Sequence, residues 1–300
     1  MRGPIRNKVV AGSLVALPTP FRAGQFDALA FTEQIERHIR SGTSGVVVAG
    51  TTGEAATLTE EEKTQLFLSA VRAADGRLSV VAGVGTQDTR TTLRLATAAA
   101  RAGVDAVLAV TPYYNRPSPA GLRAHYGALA QAVPEMPVVL YNVPTRTGCD
   151  LVPELAAEIA AENSNVVAIK EATTSLRRIE ALRAIPSLDV LCGEDALLFD
   201  FLARGAAGAI SVVGNVAPRQ TAELIGLAAL DPYAPRMREL ESELAPLIRA
   251  LQLETNPAPL KVLLNELVGF PEDLRLPLVG VTGATRQAIL AVLAGSLTPA

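Results

Sequence analysis

In 300 residues the chain has no tryptophan, two cysteines, two histidines and four lysines beside twenty-three arginines. Each shortage excludes something. Cys149 and Cys192 form no CxxC pair and stand near no histidine cluster, so no disulfide scaffold is expected and a reducing cytoplasm is the natural setting. His38 and His125 fall in separate helical stretches without ligand spacing, and no metal is expected. Gly83-Val84-Gly85 lacks the third glycine of a dinucleotide loop, and no Walker sequence occurs. No apolar stretch reaches the roughly 18 residues of a membrane span. A net charge of −3 gives no electrostatic reason to expect nucleic acid or an anionic membrane as partner.

What the chain does have is alternation. Short apolar runs recur at Gly12–Ala16, Gly45–Val48, Ser79–Ala82, Ala106–Val110, Pro137–Tyr141, Val166–Lys170, Asp189–Cys192 and Ala209–Val212. Amphipathic stretches lie between them, at 27–40, 59–73, 89–102, 119–132, 153–161, 175–184 and 196–203. Continuous apolar runs suit strands buried on both faces, and the intervening lengths suit crossover helices. Eight such units predict an α/β fold, a (β/α)8 TIM barrel; a doubly wound open sheet is the competitor that periodicity does not exclude. Past residue 225 the strand signal stops and helical stretches follow at 235–253, 259–267 and 285–294. The expected division is a barrel over 1–225 and a C-terminal helical appendage over 226–300. At the start, Arg2, Arg6 and Lys8 ahead of the apolar run Val9–Leu17 have the outline of a secretory signal. No small-residue cleavage site follows, so the run is read as the first strand.

In a barrel, side chains at the C-terminal ends of the strands face the active site. Chemistry-bearing residues gather at those ends: Thr51-Thr52-Gly53-Glu54, Tyr113-Tyr114-Asn115-Arg116, Tyr141-Asn142-Val143-Pro144-Thr145-Arg146, Lys170-Glu171 and Gly193-Glu194-Asp195. Lys170 stands out because it closes the apolar run Val166-Val167-Ala168-Ile169, a poor place for a solubilising charge. Burial disfavours the ammonium form of an amine, and a free amine is what attack on a carbonyl requires. A strand-end lysine paired with Glu171 is the bland alternative. Of the other lysines, Lys63 sits in a charged Glu60–Lys63 turn and Lys261 in a late helix.

The neighbours carry weaker signals. Tyr141 is placed to relay protons, or merely to satisfy a buried hydrogen bond. The Thr51-Thr52-Gly53 turn suits a carboxylate, or simply leads into a helix capped by Thr59 with Glu62 completing a capping box. Arg146 suits a second carboxylate held bidentately, with a surface arginine as the alternative. With no metal or cofactor signal, imine chemistry on Lys170 is the favoured reaction type.

At these residues the chain resembles the dihydrodipicolinate synthase (4-hydroxy-tetrahydrodipicolinate synthase) family, within the pyruvate-dependent N-acetylneuraminate lyase superfamily of class I aldolases. The likeness runs from Gly12-Ser13-Leu14-Val15-Ala16 and Thr19-Pro20 through GTTGEAATLT, VTPYYNRPS, YNVPTRTGCDL and AIKEAT to NPAPLK and LRLPL. YNVPTRTG discriminates, because relatives acting on sugar acids generally lack its arginine. The resemblance implies that Lys170 forms a Schiff base with pyruvate, with no other cofactor. It implies that Tyr141 moves protons through Thr51 to Tyr114 of a neighbouring subunit, and that Thr52 and the backbone at Ile210 hold the pyruvate carboxylate. Arg146 would bind the carboxylate of aspartate semialdehyde. The product would be 4-hydroxy-tetrahydrodipicolinate, in lysine biosynthesis through diaminopimelate, and the assembly a homotetramer made of two tight dimers.

Two rivals stand beside that expectation. One is an aldolase for 2-oxo-3-deoxygluconate or 4-hydroxy-2-oxoglutarate, against which Arg146 argues. The other is a non-catalytic 2-oxo acid binding protein, which would have no use for Tyr141, Thr51 and Tyr114. One departure from the resembled family concerns feedback by lysine. Where sensitive members place histidines, and then Asn and Glu, this chain has Glu60 and Lys63, then Gln87 and Thr91, keeping only Tyr113. Weak or absent inhibition is expected, with Glu60 as a possible substitute acceptor.

Overall fold

In the computed structural model, which describes residues 8–296, eight parallel strands close into a barrel. They are β1 (Gly12–Ala16), β2 (Gly45–Val48), β3 (Ser79–Gly83), β4 (Ala106–Val110), β5 (Val138–Asn142), β6 (Val166–Glu171), β7 (Asp189–Cys192) and β8 (Gly208–Ser211). Each pairs with its chain neighbours, and β1 pairs with both β2 and β8, so the sheet has no edge. Closure excludes the open-sheet alternative. Arg2 and Arg6, which raised the question of a signal, lie outside the described residues.

The strand period of two sorts the side chains. Leu14, Val47, Val81, Leu108, Val139, Ala168, Leu191 and Ile210, one from each strand, form a buried cluster inside the barrel. Their neighbours in sequence, such as Val46, Val80, Leu140 and Ile169, face the other way into a larger core shared with the helices. Strands buried on both faces must read as unbroken apolar runs, which is why the sequence does.

Eight helices follow the strands: α1 (Ala28–Arg40), α2 (Glu60–Ala74), α3 (Thr89–Ala102), α4 (Pro119–Ala132), α5 (Pro153–Glu162), α6 (Leu176–Arg183), α7 (Leu198–Ala203) and α8 (Pro218–Leu230). Their starts are written locally. Asp27 accepts from the Ala30 amide to cap α1, and Thr59 and Glu62 form a reciprocal capping box on α2. Helix α8, which the sequence reading did not pick out, completes the alternation and runs across residue 225. Beyond it lie α9 (Pro235–Leu251), α10 (Ala258–Val268) and α11 (Gly283–Ser296), with α9 against α8 and α11 against both α9 and α10. The segment between α9 and α10 reaches back over the C-terminal mouth of the barrel and places Asn256 there.

Candidate active site

The rim inherits its order from the layer below it. Two residues above Val139 and Ala168 come Tyr141 and Lys170, still pointing inward and paired in register across β5 and β6. Both are buried, each with 6% of its surface exposed. The Lys170 Nζ lies 4.3 Å from the Tyr141 ring centroid. Gly193, two residues above Leu191, gives the lysine room, since a Cβ there would stand 2.9 Å from both Cγ and Cε of Lys170.

Glu171 turns away from Lys170, as the strand period requires. It is fully buried, and its carboxylate accepts from Arg178 Nε at 2.8 Å, the Thr173 amide at 2.8 Å and Asn142 Nδ2 at 3.2 Å. The Lys170–Glu171 pairing that competed in the sequence is therefore not formed. Among the described residues Lys170 makes no ion pair.

The loop after β2 is wound tightly. Ala49 and Glu54 both take left-handed backbone conformations, with φ of 51° and 56°. Glu54 is buried beneath the loop and clamps it to the C-terminal region. Its Oε1 meets Lys261 Nζ at 2.6 Å, and its Oε2 accepts from the Arg275 amide at 3.0 Å. Burial pushes the Lys261 ammonium below its usual range, and the Glu54 carboxylate opposes that shift. Above the clamp Thr51 is half-buried and Thr52 buried. Thr52 Oγ1 accepts from Asn256 Nδ2 at 3.0 Å, which leaves the threonine hydrogen free to donate.

Arg146 sits in a single helical turn, Pro144–Thr147, ended by Gly148 at φ 66°. Hydroxyls fasten that turn to the barrel. Thr111 Oγ1 donates to Thr147 Oγ1 at 3.1 Å, and Thr147 Oγ1 donates to the Cys149 carbonyl at 2.9 Å. The guanidinium itself is exposed and enters no ion pair among the described residues. Across the mouth, Asp195 accepts from the Val212 and Val213 amides at 2.8 and 2.7 Å, fixing the backbone just past β8. Burial raises its pKa while those amides oppose the rise.

These groups enclose a cavity of about 310 Å³. Lys170, Tyr141, Thr51, Thr52 and Arg146 all line it, together with Gly193, Asp195, Val212 and Asn256. Ile210 does not; its side chain belongs to the barrel interior, and Val212 two residues on lines the mouth instead. Tyr114 lines neither this cavity nor a neighbouring one of about 300 Å³, whose lining includes Thr51, Lys63, Tyr113, Pro277 and Leu278; it is 89% exposed and holds φ at 70°. Gly193 and Asp195 belong to the strand-end cluster read from the sequence, which gave them no role; Asn256 was not singled out, although it opens the quoted NPAPLK segment. Among the described residues no group of three or more His, Cys, Asp or Glu is placed to hold a metal, and no helix is long and apolar enough to cross a membrane.

A closed (β/α)8 barrel whose C-terminal mouth opens on a buried lysine, with a tyrosine beside it and an arginine above, defines the chain as one of the barrel lyases. More narrowly, it belongs to the dihydrodipicolinate synthetase family, whose model matches residues 9–295. It is 42% identical over 285 residues to a 4-hydroxy-tetrahydrodipicolinate synthase of Chelativorans sp., covering 94% of this chain and 97% of that one. Among solved structures it superposes on dihydrodipicolinate synthase from Aquifex aeolicus with a TM-score of 0.93 and 38% identity, covering 95% and 97% of the two chains. The chloride-inhibited dihydrodipicolinate synthase of Acinetobacter baumannii complexed with pyruvate gives 0.92 and 39%, covering 96% and 99%.

Proposed function

We propose that the chain is a lyase that condenses pyruvate with L-aspartate 4-semialdehyde to give 4-hydroxy-tetrahydrodipicolinate, using Lys170 as the nucleophile. The observation that carries the assignment of Lys170 is its burial, without an ion pair, beside Tyr141 in a cavity that Arg146 also lines.

Lys170 Nζ attacks C2 of pyruvate, and loss of water gives an iminium. That positive nitrogen accepts the electron pair released when a C3 proton leaves, forming an enamine. The enamine carbon adds to the aldehyde of the second substrate, and Tyr141 protonates the resulting alkoxide. The substrate's own amine then displaces Lys170, closing the ring and freeing the enzyme. Thr52, its hydroxyl oriented by Asn256, and the backbone at Ile210 hold the pyruvate carboxylate, while Arg146 holds that of the semialdehyde. The scheme uses no cofactor, the covalent imine being formed on Lys170 by the substrate pyruvate itself.

The relay from Tyr141 through Thr51 needs Tyr114 from a second copy, since its own chain leaves that ring exposed. Leu276 and Val279 are also exposed, next to the cavity-lining Pro277 and Leu278, which supports a dimer contact on this side. We extend this to a homotetramer of two dimers. Two free, buried cysteines support work in a reducing cytoplasm.

Borohydride reduction in the presence of pyruvate should attach one pyruvyl group per chain, at Lys170, as read by peptide mass spectrometry. Lys170→Ala should show none and lose turnover by on the order of 10³-fold or more. Labelling at Lys63 or Lys261 would overturn the mechanism. Turnover with pyruvate plus the semialdehyde, against pyruvate plus a sugar-acid aldehyde, separates this reaction from the other pyruvate-dependent aldolases.

A further inference from the structure

Behind the cavity wall, the pairing of Tyr141 with Lys170 is followed in register by Asn142 with Glu171, the last pair of the β5–β6 ladder. Both Asn142 and Glu171 are fully buried, on the strand faces turned away from the cavity. Their side chains form one hub. Asn142 Nδ2 donates to both Glu171 oxygens, each at 3.2 Å, and to Asp150 Oδ1 at 2.9 Å. Arg178, on α6, donates from Nε to Glu171 at 2.8 Å and from Nη1 to Asp150 at 3.0 Å. The Leu151 amide completes it, donating to Asn142 Oδ1 at 2.9 Å.

Three pieces of the active site meet in this hub. Asn142 is the residue after Tyr141, Glu171 the residue after Lys170, and Asp150 and Leu151 follow the turn that carries Arg146. The ladder stops here, closed by the Ala172 amide on the Asn142 carbonyl at 3.0 Å and the Gly193 amide on the Glu171 carbonyl at 2.8 Å. Lys170 has no ion pair among the described residues, so the direction of its side chain follows the roll of the strand end beneath it. A carboxylate suits that anchoring place. Donors from Asn142, Arg178 and the Thr173 amide converge on Glu171, and only a carboxylate presents two acceptor oxygens and no donor to them.

We propose that Glu171 is a positioning residue for the reaction, its carboxylate fixing the spacing of Lys170 and Tyr141 through Asn142 and Arg178. It touches no substrate and acts from the outer face of the barrel wall. The proposal rests on the reading of Lys170 as the imine-forming residue. Its effect falls on steps that need the two side chains in mutual alignment, where a misplacement of about 1 Å costs up to roughly 100-fold in rate.

Two reactions of pyruvate alone read this alignment. Borohydride trapping reports imine formation on Lys170. Exchange of the pyruvate C3 hydrogens in heavy water, followed by proton NMR, reports proton loss from that imine, where the base must stand correctly. Glu171→Gln should lower the midpoint of unfolding in urea, because it breaks a buried ion pair, and slow the exchange. Glu171→Gln/Arg178→Met strands no charge of that pair and should return the midpoint close to the parent's. Exchange should nevertheless stay slow by about tenfold or more in the double variant, the range that misalignment costs. Asn142→Ala, which keeps Glu171 paired with Arg178 and cuts its link to β5, should show the same slowing. Exchange at the parent's rate in either of these two variants would overturn the proposal, leaving the hub a purely structural one. A parent chain that traps no pyruvate at Lys170 would sink the imine reading, and this proposal with it; normal trapping with unaltered exchange sinks this proposal alone.

Discussion

Lys170 and Lys261 are both buried lysines, and the surroundings of each are nearly opposite. Lys261 is clamped between the Glu54 carboxylate and the Asp273 carbonyl, each at 2.6 Å, with the Phe21 ring 4.8 Å away. Lys170 has a tyrosine ring, an open cavity and no counter-charge. A buried lysine that is paired holds structure together; one left unpaired beside a cavity is available for chemistry. Glu54 makes the two regions depend on each other, because the loop it anchors carries Thr51 and Thr52 to the active-site mouth.

The largest test of that contrast removes the paired lysine. Lys261→Met strands the Glu54 carboxylate in a site with no exposed surface, and breaking one side of a buried pair costs about 3–5 kcal/mol. The midpoint of unfolding in urea should fall accordingly, whereas Lys170→Ala should leave it nearly unchanged. The double substitution Glu54→Gln/Lys261→Met should recover much of the loss, since no charge is then stranded. Arg123→Ala, which breaks an exposed ion pair to Glu158 and Glu162, should cost under about 1 kcal/mol. If Lys261→Met proved as mild as Arg123→Ala, the clamp would have no structural weight.

How far this was legible in the sequence follows from the range of the forces involved. Lys170 could be read because a strand period of two and an apolar run are local signals. The clamp could not, because Lys261 and Glu54 lie 207 positions apart. Lys63 misled for the same reason: beside Glu60, Glu61 and Glu62 it reads as part of a solvated turn, yet it lies on the inner side of α2 against a cavity. Asn256 looked like a break between two helices, and only the fold sets it over Thr52. Helix α8 had its stripe in Thr221, Leu224, Ile225 and Ala228, at positions i, i+3, i+4 and i+7. A threonine within the stripe and the exposed Leu230 outside it blurred the pattern. The barrel itself was fully readable as alternation, and only pairing of β1 with both β2 and β8 distinguished it from an open sheet.

Arg146 sharpens the comparison within the mouth, where its exposed guanidinium, like Lys170, enters no ion pair among the described residues. Arg146→Ala should leave pyruvate trapping on Lys170 nearly intact and depress kcat/KM for the semialdehyde. Truncating one side of a desolvated charge pair costs about 2–5 kcal/mol, which is roughly 30-fold or more in rate constant. Unchanged semialdehyde kinetics would show that another group takes the second carboxylate.

The smallest expected effect is that of added lysine, and the reason lies in how the polar groups after β2 and β3 are already engaged. A bound amino acid presents an ammonium that needs acceptors, and the groups at hand are already engaged. Glu60, the acceptor that the sequence left open as a substitute, is held by two nitrogens of Arg94. Thr91 donates its hydroxyl to Asp88 at 2.8 Å and accepts from Arg94 Nη2 at 2.9 Å. The Gln87 carbonyl receives Asn115 Nδ2 at 3.0 Å. Lys63 adds a like charge to the cavity it lines with Thr51 and Tyr113, where a second ammonium would be repelled rather than held. Each lost charge-assisted hydrogen bond removes about 1.5–3 kcal/mol, and two such losses weaken binding by roughly 100-fold or more. Turnover in the presence of millimolar lysine should therefore stay close to that without it. An inhibition curve with a sub-millimolar midpoint, retained in Lys63→Met, would place a lysine site elsewhere on the subunit. The same curve appearing only in Lys63→Met would show that this one side chain keeps the amino acid out.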